Sequence, residues 1–340
     1  MTLLEIRDSE ILHVLHETYE IWSAGLSRAN YLEYNQFQRT HNWGRRHQRF
    51  FALRSGGEIA ASCKSYDIEV TARGKTYQFL GIGAVFSRPR FRGKGFGDQF
   101  MDAYRKWAEE SGAAGILLFS DIGPDFYERH GFQELSSIDF SIDVKEARSH
   151  GGANKLTMPD YTIEPLEYGH IDFLQRNHQR WLSRRPFGIT RDAQYWHYKI
   201  AKEIYLHQNS KLSWPRLQLL KIEEGGKGGY CIYEVGGSIM RILELADGGI
   251  GAQNLWSAVL TQATALQIRK LRGWEGNLRE LSPGFNLKVF LGPDNFQAEF
   301  QGQIHYSERD WGRAMLMPLD IEVEQWFENF PCPLMELDHL

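Results

Sequence analysis

Arg92-Gly93-Lys94-Gly95-Phe96-Gly97 joins an apolar run ending near Val85 and Phe86 to an amphipathic helical pattern that starts near Asp98. Glycines at alternate positions let a loop bring consecutive backbone N–H groups close to an anion, and the helix that follows adds free amides and the positive end of its dipole. A pyrophosphate fits such a loop. Arg88, Arg90, Arg92 and Lys94 supply cations at alternate positions, in a chain whose formal net charge is -4. Because the positive charge is local, it suits a small ligand and speaks against a nucleic-acid duplex.

Working outward toward the N-terminus, Ile11, Leu15, Thr18 and Trp22 recur at the spacing of one helix face, predicting a helix over 9–25. A second, Tyr- and Gln-rich helix is expected over 29–42, before Asn42-Trp43-Gly44. Strand-like runs at 49–54 and 59–70 flank Ser55-Gly56-Gly57 as a hairpin, and 76–87 is a third strand that delivers the chain to the loop. On the other side, Phe100, Tyr104, Trp107 and Ala108 mark a helix ending at Ser111-Gly112. The short apolar run 114–120 reads as a buried central strand, and Pro124 to Gly131 as a short helix with proline at its start and glycine past its end. Phe132 to Val144 alternates as a final strand, so this order predicts an α/β (mixed α+β) unit around a central mixed sheet, complete by about residue 145.

At 340 residues the chain is long for one core, and two domains are expected. The stretch 146–160 lacks periodicity and holds Gly151-Gly152, which makes it the natural linker between a unit over 1–145 and a second over 161–340. The second half reads as a worn copy of the first: helical patterns over 166–206, strands near 216–223, 229–235 and 238–245, and a helix near 251–268. Where the first copy has its basic loop, the second has Leu245-Ala246-Asp247-Gly248-Gly249-Ile250-Gly251, without a cation, so no second phosphate site is expected.

An apolar fraction of 42% and a charged fraction of 24%, with no run long enough to span a bilayer, describe a globular chain with no membrane role. The N-terminus lacks the apolar core of a secretory signal, and Cys63, Cys231 and Cys332 stand far apart, as reduced thiols of a cytoplasmic protein do. No histidine or cysteine spacing matches a metal site, and nothing in the sequence specifies an oligomeric state.

Strand, basic glycine loop, helix, apolar strand and Phe126-Tyr127-Glu128-Arg129-His130-Gly131-Phe132 together resemble the GNAT superfamily of acetyl-CoA-dependent N-acetyltransferases. The loop is similar to that family's R/Q-x-x-G-x-G/A element and the second stretch to its F-Y-x-x-x-G-F element. The resemblance implies a GNAT fold followed by a second, degenerate GNAT-like domain, and acetyl-CoA as co-substrate without a metal. It further implies coenzyme contacts at Val85, Phe86, Ser87, Arg92, Gly93, Lys94, Gly95, Phe96, Gly97 and Ser120. Val85-Phe86-Ser87 and Phe119 to Tyr127 are also similar to a fungal lysine N-acetyltransferase branch. The tandem arrangement resembles larger aminoglycoside-acetylating proteins, which continue into a further domain that this chain is too short to hold.

Acetyl transfer to an amine needs a free lone pair, a stabilised oxyanion and a proton for the departing thiolate. An amine with a pKa of about 10.4 needs help to lose its proton at neutral pH. The segment Phe79 to Phe86 offers no carboxylate, so the base is open. By resemblance Tyr127 lies near the coenzyme sulfur as proton donor, and its alternative reading is a core aromatic. Asp121 either orients the acceptor or caps the next helix, while Trp181, Tyr195, Trp196 and Tyr198 read as packing rather than as an acceptor pocket. The end 331–340 is apolar enough to dock, and in tandem relatives a terminal carboxylate can serve the reaction, though no motif here matches that role. The reading is an N-acetyltransferase acting by direct attack of a primary amine in a ternary complex. The acceptor is expected to be a small molecule rather than a protein lysine; the alternative is a non-catalytic acetyl-CoA sensor.

Overall fold

The computed structural model describes residues 3–135, 137–144, 160–212, 215–278, 304–327 and 334–339. The first half runs β1 (Leu3–Glu5), α1 (Ser9–Trp22), α2 (Arg28–Thr40), α3 (Gly44–His47), β2 (Gln48–Ser55), β3 (Glu58–Ala72) and β4 (Lys75–Ser87). There follow α4 (Phe96–Glu110), β5 (Gly115–Ser120), α5 (Asp125–Glu128), β6 (Gln133–Glu134) and β7 (Ile138–Asp143). The second half contains β8 (Tyr161–Pro165), α6 (Ile171–Leu182), β9 (Phe187–Ile189), α7 (Ala193–Asn209), β10 (Gln218–Glu224), β11 (Lys227–Gly236) and β12 (Ile239–Gly248). It closes with α8 (Ala252–Ala265), β13 (Lys270–Trp274), β14 (Ile304–Glu308), β15 (Arg313–Pro318) and α9 (Ile321–Phe327).

Local chemistry accounts for the elements around the loop. The Ser27 side chain caps α2 by accepting the Asn30 N–H at 3.2 Å. Gly56 and Gly57 both have positive φ, which closes the β2–β3 hairpin with a twist that matches its strands. Phe100, Met101, Tyr104 and Ala108 form the buried face of α4, packed with Phe51 of β2, Cys63 of β3 and Leu118 of β5. Each large apolar side chain on that face contributes about 1.5–3 kcal/mol by leaving water.

One sheet has the order β1-β2-β3-β4-β5-β15-β6, with β9 also paired to β3; the other has the order β14-β7-β13-β12-β11-β10-β8. In each sheet one parallel pair stands among antiparallel neighbours, β4 with β5 and β12 with β13. The expectation that 132–144 is one strand completing the first sheet is corrected here. Only Gln133 and Glu134 pair in that sheet, against β15, whereas Ile138–Asp143 pairs with β13 and β14 of the other. The Ser137 hydroxyl donates to the Leu135 carbonyl at 3.0 Å and accepts the Ala314 N–H at 3.2 Å, serving backbone groups where the chain leaves one sheet for the other. In return β15 lies between β5 and β6, with Ala314, Met315, Leu316 and Met317 all buried. The two sheets therefore exchange strands across the segment 146–160, of which 146–159 fall outside the described residues.

Candidate active site

β4 holds the site open in two ways. Its register with β3 passes from Ser62↔Phe86 to Lys64↔Gly83, so Cys63 stands opposite both Ala84 and Val85 in a bulge, and Ala84 takes a φ of 51°. Its parallel pairing with β5 stops at Ile82↔Leu118, leaving Gly83 to Ser87 splayed from Phe119 and Ser120. The predicted coenzyme contacts Val85, Phe86, Ser87 and Ser120 all border this splay. The Ser120 hydroxyl itself is used locally, donating to the Gly123 carbonyl at 2.9 Å and accepting the Ile122 N–H at 3.3 Å.

The glycine loop follows β4. Gly93 and Gly95 have φ of 71° and 76°, and Gly95 precedes the first residue of α4, Phe96, two residues earlier than the periodicity indicated. Among the described residues, no hydrogen bond is made by the backbone amides of Gly93, Lys94, Gly95, Phe96, Gly97 and Asp98. Six adjacent donors without acceptors, on an exposed loop at a helix start, fit a pyrophosphate. The reading of four surrounding cations is corrected. Arg88 donates to Glu17 at 2.7 Å and Arg90 pairs with Glu58, so both charges are committed. Arg92 and Lys94 have no carboxylate partner among the described residues; Arg92 donates to the Ser87 carbonyl at 3.0 Å and lies over the Phe86 ring.

Tyr127, on α5, is buried and packs against Phe126 and Phe132. Burial pushes its phenol well above the ordinary value, with Cys63 and Asp121 adding to the shift. It remains protonated throughout the neutral range. Asp121 does not cap α5; its Oδ1 accepts the Gly312 N–H at 2.8 Å beside β15.

Between the two halves lies a cavity of about 380 Å³. Thr18 of α1 and Tyr31 and Tyr34 of α2 form one wall; Ser62, Lys64, Gly83 and Ala84, at the bulge, form the floor. Lys199, Lys202, Glu203 and Leu206 of α7, spaced to share one helix face, form a second wall. Asp121, Trp311 and the C-terminal turn at Glu336, Leu337 and His339 close the rest. The Ser62 hydroxyl is buried without a hydrogen-bond partner among the described residues, and its residue faces this space. Lys64 Nζ donates to Asn35 Oδ1 at 2.7 Å, and burial, with Lys202 nearby, pushes its pKa down to about 7.

The C-terminal turn is docked, as its apolar character indicated. Arg191 holds Asp338 at 2.6 Å and Glu244 at 2.7 Å, Arg241 pairs with Glu336, and Lys199 Nζ donates to the His339 carbonyl at 2.6 Å. Residues 331–333 and 340, including Cys332 and the terminal carboxylate, lie outside the described residues. Trp181, Tyr195, Trp196 and Tyr198 are buried in packing clusters and none lines the cavity.

In the second half, the loop after β12 and the parting of β12 from β13 are occupied by the chain's own side chains. Asp247 Oδ1 accepts the N–H groups of Gly249 and Gly251, both at 2.9 Å. Where β12 and β13 part after Ile242, the buried Asn277 accepts the Leu245 N–H at 2.8 Å and donates to the Ile242 carbonyl at 3.3 Å. Among the described residues no cluster of His, Cys, Asp and Glu could hold a metal ion, and no helix is long and apolar enough to cross a membrane.

Residues 12–135 match the model of an acetyltransferase (GNAT) domain. A GCN5-related N-acetyltransferase from Anabaena variabilis superposes with a TM-score of 0.66 at 14% identity, covering 94% of this chain and 73% of that one. A conserved protein of unknown function from Enterococcus faecalis, described as a probable N-acyltransferase, superposes at 0.64 with 13% identity and the same coverage of 94% and 73%. A GCN5-related N-acetyltransferase from Kribbella flavida gives 0.59 at 16% identity, covering 94% and 72%. No curated protein matches the sequence. The chain carries the GNAT acetyltransferase fold, an α/β fold built on a mixed sheet.

Proposed function

We propose that the chain is an acetyl-CoA-dependent N-acetyltransferase that acts on a small primary amine. The observation that carries this reading is the run of six acceptor-free amides, Gly93 to Asp98, which adjoins the β4–β5 splay. The splay in turn borders a cavity at the Ala84 bulge. The coenzyme's pyrophosphate would take the loop amides with Arg92 and Lys94, and its acyl arm would lie along Val85, Phe86 and Ser87. The second half is a degenerate copy whose loop and splay are filled by Asp247 and Asn277, which supports one coenzyme per chain.

In the reaction, the acceptor nitrogen attacks the thioester carbonyl carbon directly in a ternary complex. An amide N–H near the bulge, at Val85 or Phe86, stabilises the oxyanion, a contribution of about 3–4 kcal/mol in such sites. As the C–S bond breaks, Tyr127 gives its proton to the thiolate, and the proton released by the amine, relayed by solvent or a cavity base, restores the Tyr127 phenol. No cysteine is needed as a covalent carrier: Cys63 is buried and its thiol is pushed far up by desolvation. A cavity of about 380 Å³ between two halves favours a small acceptor over a protein lysine. A cytoplasmic location, without nucleic-acid or membrane partners, belongs to the same reading.

The test combines calorimetric titration of acetyl-CoA with thiol release over a panel of lysine, polyamines and aminoglycosides. Binding at one site per chain, with release on at least one amine, is expected. Binding without release on any amine would move the reading to a non-catalytic acetyl-CoA sensor, and absence of binding would reject both.

A further inference from the structure

The charge pattern of the cavity says something about the acceptor that the fold does not. Lys199 and Lys202 project from one face of α7, and Lys64 rises from β3 beneath them; all three line the same space. Lys202 lies within electrostatic reach of the other two. Each ammonium has three donors, yet Lys64 uses one on Asn35, Lys199 one on the His339 carbonyl, and Lys202 only rests over the Tyr198 ring.

Among the described residues no carboxylate lies within ion-pair distance of any of these lysines, although from further away Glu203 favours the charge on Lys199 and Lys202, and Asp338 that on Lys199. Arg241, in the same cavity, is by contrast held by Glu234 and Glu336. Amines crowded at a half-buried site without counter-ions are costly to keep charged, and three around one cavity form a site that an anion would charge and hold. The unpartnered hydroxyl of Ser62 adds a further polar group on the same floor.

Carboxylates line the cavity too: Glu203 stands beside Lys202 on α7, and Asp121 stands at the splay. Asp121 follows directly on β5 at the splay, with one carboxylate oxygen on the Gly312 N–H and the other unused by any hydrogen bond among the described residues. A cationic amine is drawn to that end, where an acyl group carried along β4 would be within its reach.

We infer that the acceptor is a small zwitterion, an amine that also bears a carboxylate or phosphate. Its anion is held by Lys64, Lys199 and Lys202, and its amine is turned toward Asp121 and the β4–β5 splay. This rests on the acetyl-transfer reading for the amine end but not for the anion end. It departs from the simple expectation that a net acidic chain prefers a purely cationic acceptor.

The experiment compares matched acceptors on the wild-type protein. L-lysine, L-lysinamide and cadaverine test the carboxylate, and glucosamine 6-phosphate against glucosamine tests the phosphate. Each is followed by thiol release and by calorimetric binding in the absence of acetyl-CoA. The anionic member of one series is expected to have kcat/KM at least tenfold above its neutral partner, in line with charge-assisted hydrogen bonds. Lys202→Gln, at the partly exposed position, should narrow that ratio tenfold or more, the anionic partner losing far more than the neutral one. Binding of an anionic amine without thiol release would reject acetyl transfer and leave the anion site standing. Equal use of anionic and neutral partners, or no binding of any anionic amine, overturns the inference, as does a Lys202→Gln variant that loses activity equally on both partners.

Discussion

At the scale of single residues, the glycine loop and the helix carrying Tyr127 are the parts most directly located from sequence, because both reside in short contiguous motifs. What the motifs could not show is how the neighbouring charges are spent. Arg90 is neutralised by Glu58 while Arg92 and Lys94 stand free of carboxylates among the described residues, so the four cations should not contribute equally. Arg92→Gln and Lys94→Gln are each expected to raise KM for acetyl-CoA about tenfold with little change in kcat, whereas Arg90→Gln moves it less than about threefold. Steady-state kinetics at low and high salt would separate the two groups. Tyr127 has a different burden. Its phenol is buried, and on the proposed reading a thiolate beside it would be desolvated in the same way, so that the pair would exchange a proton within one low-dielectric site. Tyr127→Phe is expected to leave acetyl-CoA affinity within about twofold and to lower turnover by about 10²–10⁴. Unchanged turnover would return Tyr127 to the role of a core aromatic.

At the scale of elements, β15 carries the largest consequence. It supplies the strand between β5 and β6 from the far end of the chain; its buried Met315 and Met317 complete the core beneath α4 and α5, while Ala314 and Leu316 join a second cluster with Tyr195 and Tyr198 of α7. A fragment ending at residue 145 has all the motifs and lacks this strand. It is expected to be aggregated or without a cooperative thermal transition, since β5 would present an apolar unpaired edge. Size-exclusion chromatography and circular dichroism of the fragment, beside the full chain, check this; a monomeric fragment with a sharp melt would show the first sheet stable without β15. The same strand explains where sequence reading ran out. Helices and hairpins up to β5 are local, and periodicity with Gly56-Gly57 located them within a few residues. Alternation over 132–144 indicates a strand but carries no information about its partner, and pairing between strands from opposite halves of the chain has no local signature. The cavity lysines were hidden for a related reason. Lys64 sits between Cys63 and Ser65 in a strand pattern, and Lys199 and Lys202 sit in a helix, so only the meeting of β3 and α7 turns them into one site.

At the scale of the whole molecule, the two halves differ: in one the loop after β4 and the β4–β5 splay stay open, while in the other Asp247 and Asn277 occupy the loop after β12 and the parting of β12 from β13, and α7 and the docked C-terminal turn wall the cavity. Packing ionisable side chains between them ties the site to stability. Lys64 has its pKa pushed down to about 7 by burial, whereas in the unfolded chain a lysine titrates near 10.4. Between those values the unfolded chain holds a proton that the folded one has released, so stability rises with pH across this window, by up to about 1.4 kcal/mol per pH unit from this residue. Below pH 7 both states are protonated and its effect is constant. The buried phenols of Tyr66, Tyr104, Tyr198 and Tyr230 act in the reverse sense: burial raises their pKa, so above pH 10 the unfolded chain ionises while the folded chain resists. Stability is therefore expected to climb from pH 7 to a maximum near pH 10 and then to fall. Denaturant unfolding of wild type and Lys64→Met at pH 6, 7, 8, 9 and 10 would isolate the first limb. The methionine variant should be the more stable at pH 7, with the difference shrinking by at least half toward pH 10, while the fall above pH 10 is common to both. Parallel curves through the whole range would mean that Lys64 stays charged in the folded protein, with a counter-ion already in place.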